Sequence, residues 1–312
     1  PGVGKSAVIR DLCRELEIGF VDVRLAQREP VDIRGLPVPK GDRVEWLISS
    51  EWPRDPKGRG IILFDELTAA DRTLQVAAYE FILDRRLGDT YSVPDGWYVM
   101  AAGNRTGDRA VATSLSSALA NRFLHLEVQA DVESWVAWAQ NNDVPPEVIA
   151  FLRFAPHCLF SMKGNTERGW PSPRSWERLG LLNQSVGGLS ERARNAALAG
   201  LVGEGAATEF SAFMAWAEKL PDVQKALAGK GEIKIPNAPE VKFALVSAVI
   251  YYIWRADDLQ IAIGRALKIA TDLPSDFSAV LMVDLLRSCS PEQMMAVLGH
   301  RHFDAWRDLH GE

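Results

Sequence analysis

The chain has 312 residues, of which 47% are hydrophobic and 24% are charged, the balance of an ordinary soluble globular protein. This composition excludes a disordered, collagen-like or coiled-coil chain. With 35 Lys and Arg residues against 41 Asp and Glu residues, the formal net charge is −6, so binding to nucleic acid through an overall basic field is not expected. The cysteines Cys13, Cys158 and Cys289 are widely spaced and form no CxxC pattern, which predicts free thiols in a reducing, cytoplasmic compartment.

The longest apolar run covers residues 243–253 and has 11 residues, whereas a helix that spans a bilayer needs about 20. It therefore predicts a buried helix, and no membrane-spanning segment is expected. The histidines near the C-terminus, His300, His302 and His310, lack the convergent spacing of a metal site and are interpreted as part of a solvated helix end.

The first part of the chain alternates helical patterns with strand patterns. Apolar residues at helical spacing predict helices over residues 6–16 and 74–83. The runs GIILF and YVMAA are continuous, which is typical of parallel strands buried on both faces. Strands are predicted over residues 20–25, 60–64, 98–102 and 123–128. Strands that alternate with helices predict βαβ units, a parallel sheet and an α/β fold class.

Two polar segments rich in Pro and Gly, residues 29–42 and 88–96, interrupt this pattern, and the second predicts a hairpin that turns at Pro94-Asp95-Gly96. From residue 131 onward, helical periodicity replaces the strand patterns. Residues 229–238 predict a small hairpin or a linker. The helices are predicted over residues 132–141, 146–153, 175–184, 190–202, 206–220, 239–255, 259–271, 275–288 and 291–298.

The chain opens with PGVGKS, which matches the last six positions of the phosphate-binding motif GxxxxGK[ST]. Glycines in such a loop let backbone N–H groups surround the β-phosphate, and the following helix presents its N-terminus to the anion. Lys5 is expected to reach the β- and γ-phosphates, and the Ser6 hydroxyl is expected to bind Mg²⁺. The alternative is a glycine-rich turn before a helix. The predicted nucleotide-binding residues are Pro1, Gly2, Val3, Gly4, Lys5, Ser6 and Ala7.

The first glycine of the motif and the strand that should precede it would lie upstream of Pro1. We therefore expect the natural protein to be longer than this chain, and we expect this chain to bind nucleotide poorly until that strand is restored.

A second motif, IILFDE, follows about 60 residues later and ends in Asp65 and Glu66. A parallel strand that ends this way delivers carboxylates to the edge of the sheet where ligands bind. Asp65 is expected to hold Mg²⁺ through its water shell, and Glu66 to orient and deprotonate the attacking water. The alternative, a strand end with two solvated acids, is disfavoured by the phosphate loop upstream. The two motifs together predict nucleotide binding and hydrolysis.

With these motifs the chain resembles the AAA+ ATPases, and among them the MoxR-type group. The strand YVMAAGN is similar to the sensor-1 strand, which implies that Asn104 contacts the γ-phosphate or the attacking water. The segment SALANRF resembles the one that carries the arginine finger, which implies that Arg122 acts on the ATP of a neighbouring subunit. SPRS resembles the sensor-2 motif, which implies that Arg174 contacts the γ-phosphate within its own subunit. For each arginine taken alone, a surface or ion-pairing role is the alternative.

The resemblance implies an AAA+ core over residues 1–130, a helical lid over 131–228 and a helical C-terminal extension over 229–312. The two polar segments resemble inserts of the MoxR group, with ordinary surface loops as the alternative. Residues 29–42 show no aromatic–hydrophobic pair of the kind that grips a translocated polypeptide, which argues against threading.

The leading functional hypothesis is Mg²⁺-dependent ATP hydrolysis at the interfaces of a homo-oligomeric ring, expected to be a hexamer. This ATPase would remodel or mature a partner protein, which in the MoxR group often bears a von Willebrand factor A domain. One alternative is a nucleic-acid-directed AAA+ motor of a restriction or phage-defence system, which the acidic charge disfavours. Another is a nucleotide-gated scaffold with little turnover, which the Asp65-Glu66 pair disfavours.

Overall fold

The structure is a computed structural model that describes residues 2–105, 114–162, 168–185, 190–217, 219–220 and 222–311. The chain divides into two compact units, Pro1–Val128 and Gln129–Glu312. The first is built around a parallel sheet, and the described part of the second is helical. This confirms the predicted fold class, an α/β parallel-sheet core followed by an all-α region.

The elements of the first unit alternate in type, as the sequence patterns predict. Its helices are α1 Lys5–Glu15, α2 Pro30–Arg34, α3 Arg72–Asp84 and α4 Ser117–Ala120. Its strands are β1 Gly19–Arg24, β2 Leu36–Lys40, β3 Arg43–Leu47, β4 Gly60–Asp65, β5 Arg86–Leu87, β6 Tyr91–Ser92 and β7 Trp97–Ala101.

β1, β4 and β7 form a parallel sheet with β4 in the middle. The Trp97 side chain crosses the beginning of the sheet, where a Cβ on Gly19 or Gly60 would lie 2.4 or 2.5 Å from its ring. Glycine is therefore required at the start of both strands. Because the strands are parallel, their carboxyl ends meet at the opposite edge, where Asp65 is the last residue of β4.

β4 is buried on both faces, as its continuous apolar run predicts. Phe64 of β4 lies edge-on to Phe81 of α3, with 5.4 Å between ring centroids, and Trp52 packs on Phe81 at 4.6 Å. All three side chains are buried. Aromatic pairs of this kind contribute about 0.5–1.5 kcal/mol beyond their buried area. The rings therefore hold α3, and the loop that precedes β4, against the sheet that carries Asp65.

Two predictions about strands are wrong. Residues 123–128 form no strand: among the described residues they have no ladder partner, and Leu124 and Leu126 are 85% and 81% exposed. An extended segment becomes a strand only when a neighbour supplies N–H and C=O groups. β7 is not buried on both faces either, since Tyr98 is 70% exposed. Helix α1 packs chiefly on β1 and β4 and leaves this face of β7 open.

The first polar segment, residues 29–42, forms α2, β2 and the turn of a hairpin whose second strand is β3. The hairpin turns at Gly41, whose φ of 64° lies in the left-handed region. It continues to Leu47, beyond the predicted end of the segment. The insert is therefore a folded hairpin and not an irregular loop.

The second polar segment also forms a hairpin, but the predicted turn is wrong. β5 and β6 pair across a turn at Gly88, as shown by the register Leu87↔Tyr91. Pro94-Asp95-Gly96 makes a separate turn that leads into β7, in which the N–H of Trp97 donates to the Pro94 carbonyl at 3.0 Å.

The second unit contains the predicted helices and two more, α10 and α15. Residues 229–238 form a linker without a strand. Its helices are α5 Val132–Gln140, α6 Pro146–Phe154, α7 Pro173–Ser185, α8 Glu191–Val202, α9 Glu204–Ala217, α10 Val223–Leu227, α11 Pro239–Ile253, α12 Leu259–Asp272, α13 Ser275–Arg287, α14 Pro291–Leu298 and α15 Arg301–His310.

Two apolar clusters hold these helices together. One gathers α5 to α9 around the rings of Phe151, Trp176 and Phe210, and the other gathers α10 to α15. Helix α11 contributes to both, through Ala244 and Leu245 respectively. The division into a lid and an extension at residue 228 stays a prediction. Within the described part of the chain, no helix has both the length and the apolar character needed to cross a bilayer.

Candidate active site

The loop before α1 turns at two glycines. Gly2 and Gly4 have φ values of 78° and 87°, a region that L side chains rarely adopt. Gly4 is the N-cap of α1, and a Cβ on it would meet no described atom within 4 Å, so open space lies beside the loop. The first N–H groups of a helix have no carbonyl partner within it, and the helix dipole makes this end positive. Such an end binds anions, phosphate among them.

The first two residues of α1 contact residues at the carboxyl ends of β4 and β7. Lys5 Nζ donates to Asn104 Oδ1 at 3.0 Å, and Ser6 Oγ donates to Asp65 Oδ2 at 2.5 Å. Both contacts are half-buried and join residues that are 99 and 59 positions apart. The structure thus brings together residues that the sequence singles out in three separate motifs. This is the carboxyl edge of a parallel sheet, where ligands bind in folds of this class.

Thr68, which the sequence reasoning missed, holds the backbone of Asn104 in place. Its Oγ1 accepts from the Asn104 N–H at 2.9 Å and donates to the Asn104 carbonyl at 3.1 Å. Gly103 makes room for this clamp, because a Cβ there would lie 2.7 Å from the Thr68 side chain. The signal was present in the sequence as a hydroxyl residue three positions after Asp65, next to a strand end.

Glu66 directly follows β4 and turns away from the strand. Its φ is 57°, which is uncommon for a residue with a side chain, and the side chain is exposed. Its N–H donates to Asp65 Oδ1 at 2.8 Å, so Asp65 accepts hydrogen bonds on both carboxylate oxygens. The buried Gln75 donates to the carbonyls of Leu67 and Ala70 and holds the following turn. The local structure therefore holds the Asp65 carboxylate by hydrogen bonds and leaves the Glu66 side chain exposed.

The donor set fits Mg²⁺. This ion prefers oxygen ligands, keeps several waters and is usually bound by one or two carboxylates together with phosphates. Ser6 Oγ and Asp65 Oδ2 are adjacent oxygens beside the open space at the glycine loop. These two residues would hold the ion.

The other residues predicted to bind nucleotide lie around this loop. Gly2 and Val3 are half-buried, and Ala7 is exposed on the first turn of α1. Pro1 lies outside the described residues. Their contacts with a nucleotide stay predictions.

Arg122 lies just after α4 and is exposed. Its Nη1 donates to the Tyr79 hydroxyl at 3.4 Å. The contact ties the arginine loosely to α3. An exposed position is compatible with action on a neighbouring subunit, and that role stays a prediction.

Arg174 is the second residue of α7, in the second unit, and its side chain is exposed. The serines of the SPRS motif form a reciprocal cap: the Ser172 N–H donates to Ser175 Oγ at 2.8 Å, and the Ser175 N–H donates to Ser172 Oγ at 3.2 Å. The motif therefore has a local structural role at the start of the helix. A contact of Arg174 with phosphate stays a prediction.

No protein-family model and no curated protein matches the chain. Two solved structures of NtrX from Brucella abortus are similar to it, one of them in complex with ADP. Their sequences are 15% and 16% identical to this chain, and the matches cover 99% and 91% of its length. The TM-scores are 0.36 and 0.35. The chain spans 62% of the length of each NtrX chain. A likeness this weak assigns neither a fold nor an activity.

Proposed function

We propose that this chain is a Mg²⁺-dependent ATPase of the AAA+ class, related to the MoxR-type group. The observation that carries the proposal is the meeting of Lys5 with Asn104 and of Ser6 with Asp65 at the beginning of α1. A glycine turn, a helix N-terminus, a lysine and a carboxylate at one sheet edge are the parts that nucleoside triphosphate hydrolysis requires.

Each side chain has a task that its position supports. The loop N–H groups and Lys5 would bind the phosphates, while Ser6 and Asp65 would hold Mg²⁺, an ion that would neutralise charge on the phosphate oxygens. Glu66, exposed beside this pair, orients the attacking water and accepts its proton. Asn104, clamped by Thr68, presents its amide to the terminal phosphate or to the water.

The contact between Lys5 and Asn104 places both side chains within reach of one phosphate group beside the glycine loop. A triphosphate would replace the Asn104 amide as the partner of Lys5, because a charged acceptor binds an ammonium more strongly than a neutral one. Asn104 would then be released to contact the same phosphate. Both residues would thereby respond to the presence of the γ-phosphate.

A test of this proposal compares nucleotide binding with turnover in three variants of the complete natural protein. Lys5→Ala should abolish tight ATP binding, whereas Glu66→Gln should retain binding and lose about 10²–10⁴-fold in turnover, the usual contribution of a general base. Glu17→Gln is the matched control, since Glu17 is also exposed and has a similar φ of 52°. Equal turnover in Glu66→Gln and Glu17→Gln would contradict the assignment, and ATP binding with negligible turnover in the parent would favour the scaffold alternative.

We further propose that hydrolysis takes place between subunits of a homo-oligomeric ring, a hexamer by resemblance, with Arg122 acting on the neighbour's ATP and Arg174 on its own. Arg122→Ala should bind ATP normally and lose about 10³–10⁵-fold in turnover. Mixing it with Lys5→Ala should restore part of the activity, because some interfaces then combine an intact nucleotide site with an intact arginine. Normal hydrolysis by Arg122→Ala alone would refute the role.

The client of the ATPase is proposed to be a protein, with a von Willebrand factor A domain as the form that the resemblance implies. The hairpin of β2 and β3 supports a protein contact, because Trp46 and Leu47 are 45% and 58% exposed at the end of β3, away from the turn at Gly41. The predicted segment stops at residue 42 and therefore misses this aromatic–hydrophobic pair.

A further inference from the structure

A group of metal-binding side chains lies in the second unit and takes no part in the proposed ATPase reaction. His157 and Cys158 are adjacent on the 3-10 turn Pro156–Cys158, and Glu209 lies on α9. Their ligand atoms, Nε2, Sγ and a carboxylate oxygen, all lie within 4.8 Å of one another. We propose that these three residues bind a divalent transition-metal ion of the Zn²⁺ type, with the fourth coordination position open to water.

Two of the three distances between the ligand atoms are close to those of a tetrahedral site. Glu209 Oε2 lies 3.0 Å from His157 Nε2 and 3.6 Å from Cys158 Sγ. Bonds from Zn²⁺ to nitrogen, oxygen and sulfur are about 2.0–2.3 Å long, so the ligand atoms of a tetrahedron lie about 3.3–3.7 Å apart. The ion would replace the two hydrogen bonds that now converge on Oε2. The thiol proton would be released to solvent as the thiolate binds.

The two sides of the site are anchored to the same aromatic cluster. Trp176 Nε1 donates to the Cys158 carbonyl at 2.7 Å and so fixes the turn. The Trp176 ring contacts Phe210, the residue after Glu209, with 5.7 Å between ring centroids. Trp176 and Phe210 are both buried. The backbone of each ligand is therefore held before an ion arrives, which lowers the entropic cost of binding it.

The chemistry of the ligands selects the metal. Imidazole and thiolate favour Zn²⁺ and its neighbours in the transition series, whereas Mg²⁺ and Ca²⁺ favour sites made of oxygen ligands alone. Cys158 is buried, and His157 and Glu209 are exposed, so the thiolate would occupy the inner side and water the outer side. The bound ion would join the turn after α6 to α9.

The test uses Co²⁺ as a spectroscopic probe on the chelator-treated protein. We expect one Co²⁺ per chain, with a thiolate-to-cobalt charge-transfer band and the visible bands of a tetrahedral ion. Zn²⁺ should displace it at equimolar concentration, and an excess of Mg²⁺ should not. Zn²⁺ should also raise the Tm of the chain, because an ion that binds only the folded state stabilises it.

His157→Gln and Glu209→Gln change exposed side chains and keep the fold intact, so each should bind Co²⁺ more than about 100-fold more weakly, beyond the loss typical of a residue that only supports a ligand. Cys158→Ser should abolish the charge-transfer band. The controls are Cys289→Ser, which removes another thiol, and Glu204→Gln, which changes an acid on the same helix. The proposal fails if the parent binds no Co²⁺ tetrahedrally, if His157→Gln and Glu209→Gln bind it as the parent does, or if Mg²⁺ competes equally. None of these outcomes depends on ATP turnover.

Discussion

The two units each contain a polar cluster built from residues far apart in the chain, and the clusters differ in burial. In the first unit, the contacts of Lys5 and Ser6 are half-buried beside open space. In the second, Arg153 and Asp284 are 4% and 2% exposed and make two hydrogen bonds to each other, one of them at 2.8 Å. A half-buried pair can exchange its partners for a ligand, whereas a buried pair has no ligand within reach. We infer that the first cluster serves binding and the second serves packing.

The buried cluster is closely matched in charge. Arg153 also donates to Glu133 at 3.1 Å, and Gln140 donates to Asp284 at 2.8 Å. Burial lowers the pKa of the Arg153 guanidinium, but its contacts with Asp284 and Glu133 outweigh this effect and raise the pKa, so its charge is retained. The network joins α5, α6 and α13. Its directly hydrogen-bonded partners lie as far as 144 positions apart in the sequence.

The largest effect is expected on stability, when a member of the buried cluster is replaced. Asp284→Ala leaves the Arg153 charge buried with only the exposed Glu133 beside it, and should lower the free energy of unfolding by about 3–5 kcal/mol. Urea denaturation of the protein measures this change. Asp276→Ala is the matched control, because Asp276 is exposed in the first turn of the same helix and should cost less than about 1 kcal/mol.

A double replacement separates packing from charge in the same cluster. Arg153→Met combined with Asp284→Leu removes both charges, and should recover most of the stability lost in Asp284→Ala, because buried ion pairs contribute little beyond apolar packing. ATP hydrolysis should survive in every one of these variants that remains folded. A folded Asp284→Ala protein that cannot hydrolyse ATP would contradict a role limited to packing.

A smaller effect is expected in the accessible cluster. Thr68→Val removes the hydroxyl that clamps Asn104 and should cost about 1 kcal/mol, the worth of a typical hydrogen bond, and reduce turnover several-fold. ATP affinity should remain near that of the parent, since Thr68 positions another residue and is not expected to touch phosphate. Steady-state kinetics with separate binding measurements check both. Thr68→Ser keeps the hydroxyl and should restore turnover; a loss as large as that in Thr68→Val would refute the clamp.

Much of the fold and of the candidate site could be predicted because it is encoded over short stretches. The run at β4 is apolar at every position, and so it predicts a strand buried on both faces before any neighbour is known. Gly4, Lys5 and Ser6 are consecutive residues at the end of the glycine loop and the beginning of α1, so the sequence alone shows their chemistry. Helical periodicity likewise predicts most of the second unit, since a helix makes its own hydrogen bonds.

Other features could not be predicted, because they depend on what lies beside a segment in space. Residues 123–128 have the composition of a strand but form none, since a strand needs the N–H and C=O groups of a neighbouring strand as hydrogen-bond partners. The turn of the second hairpin lies at Gly88 because β5 and β6 pair there, although the Pro-Asp-Gly turn sequence lies further on.

By itself, then, the sequence determined the fold class, the helices, the central strand and the phosphate-loop chemistry, all of which follow from residues a few positions apart. Only the tertiary structure decided which distant side chains meet. The clamp of Thr68 on Asn104, the pairing of Arg153 with Asp284 and the approach of Glu209 to Cys158 span 36, 131 and 51 positions. Local periodicity does not predict such contacts, because they form only when separate helices and strands pack around common apolar cores.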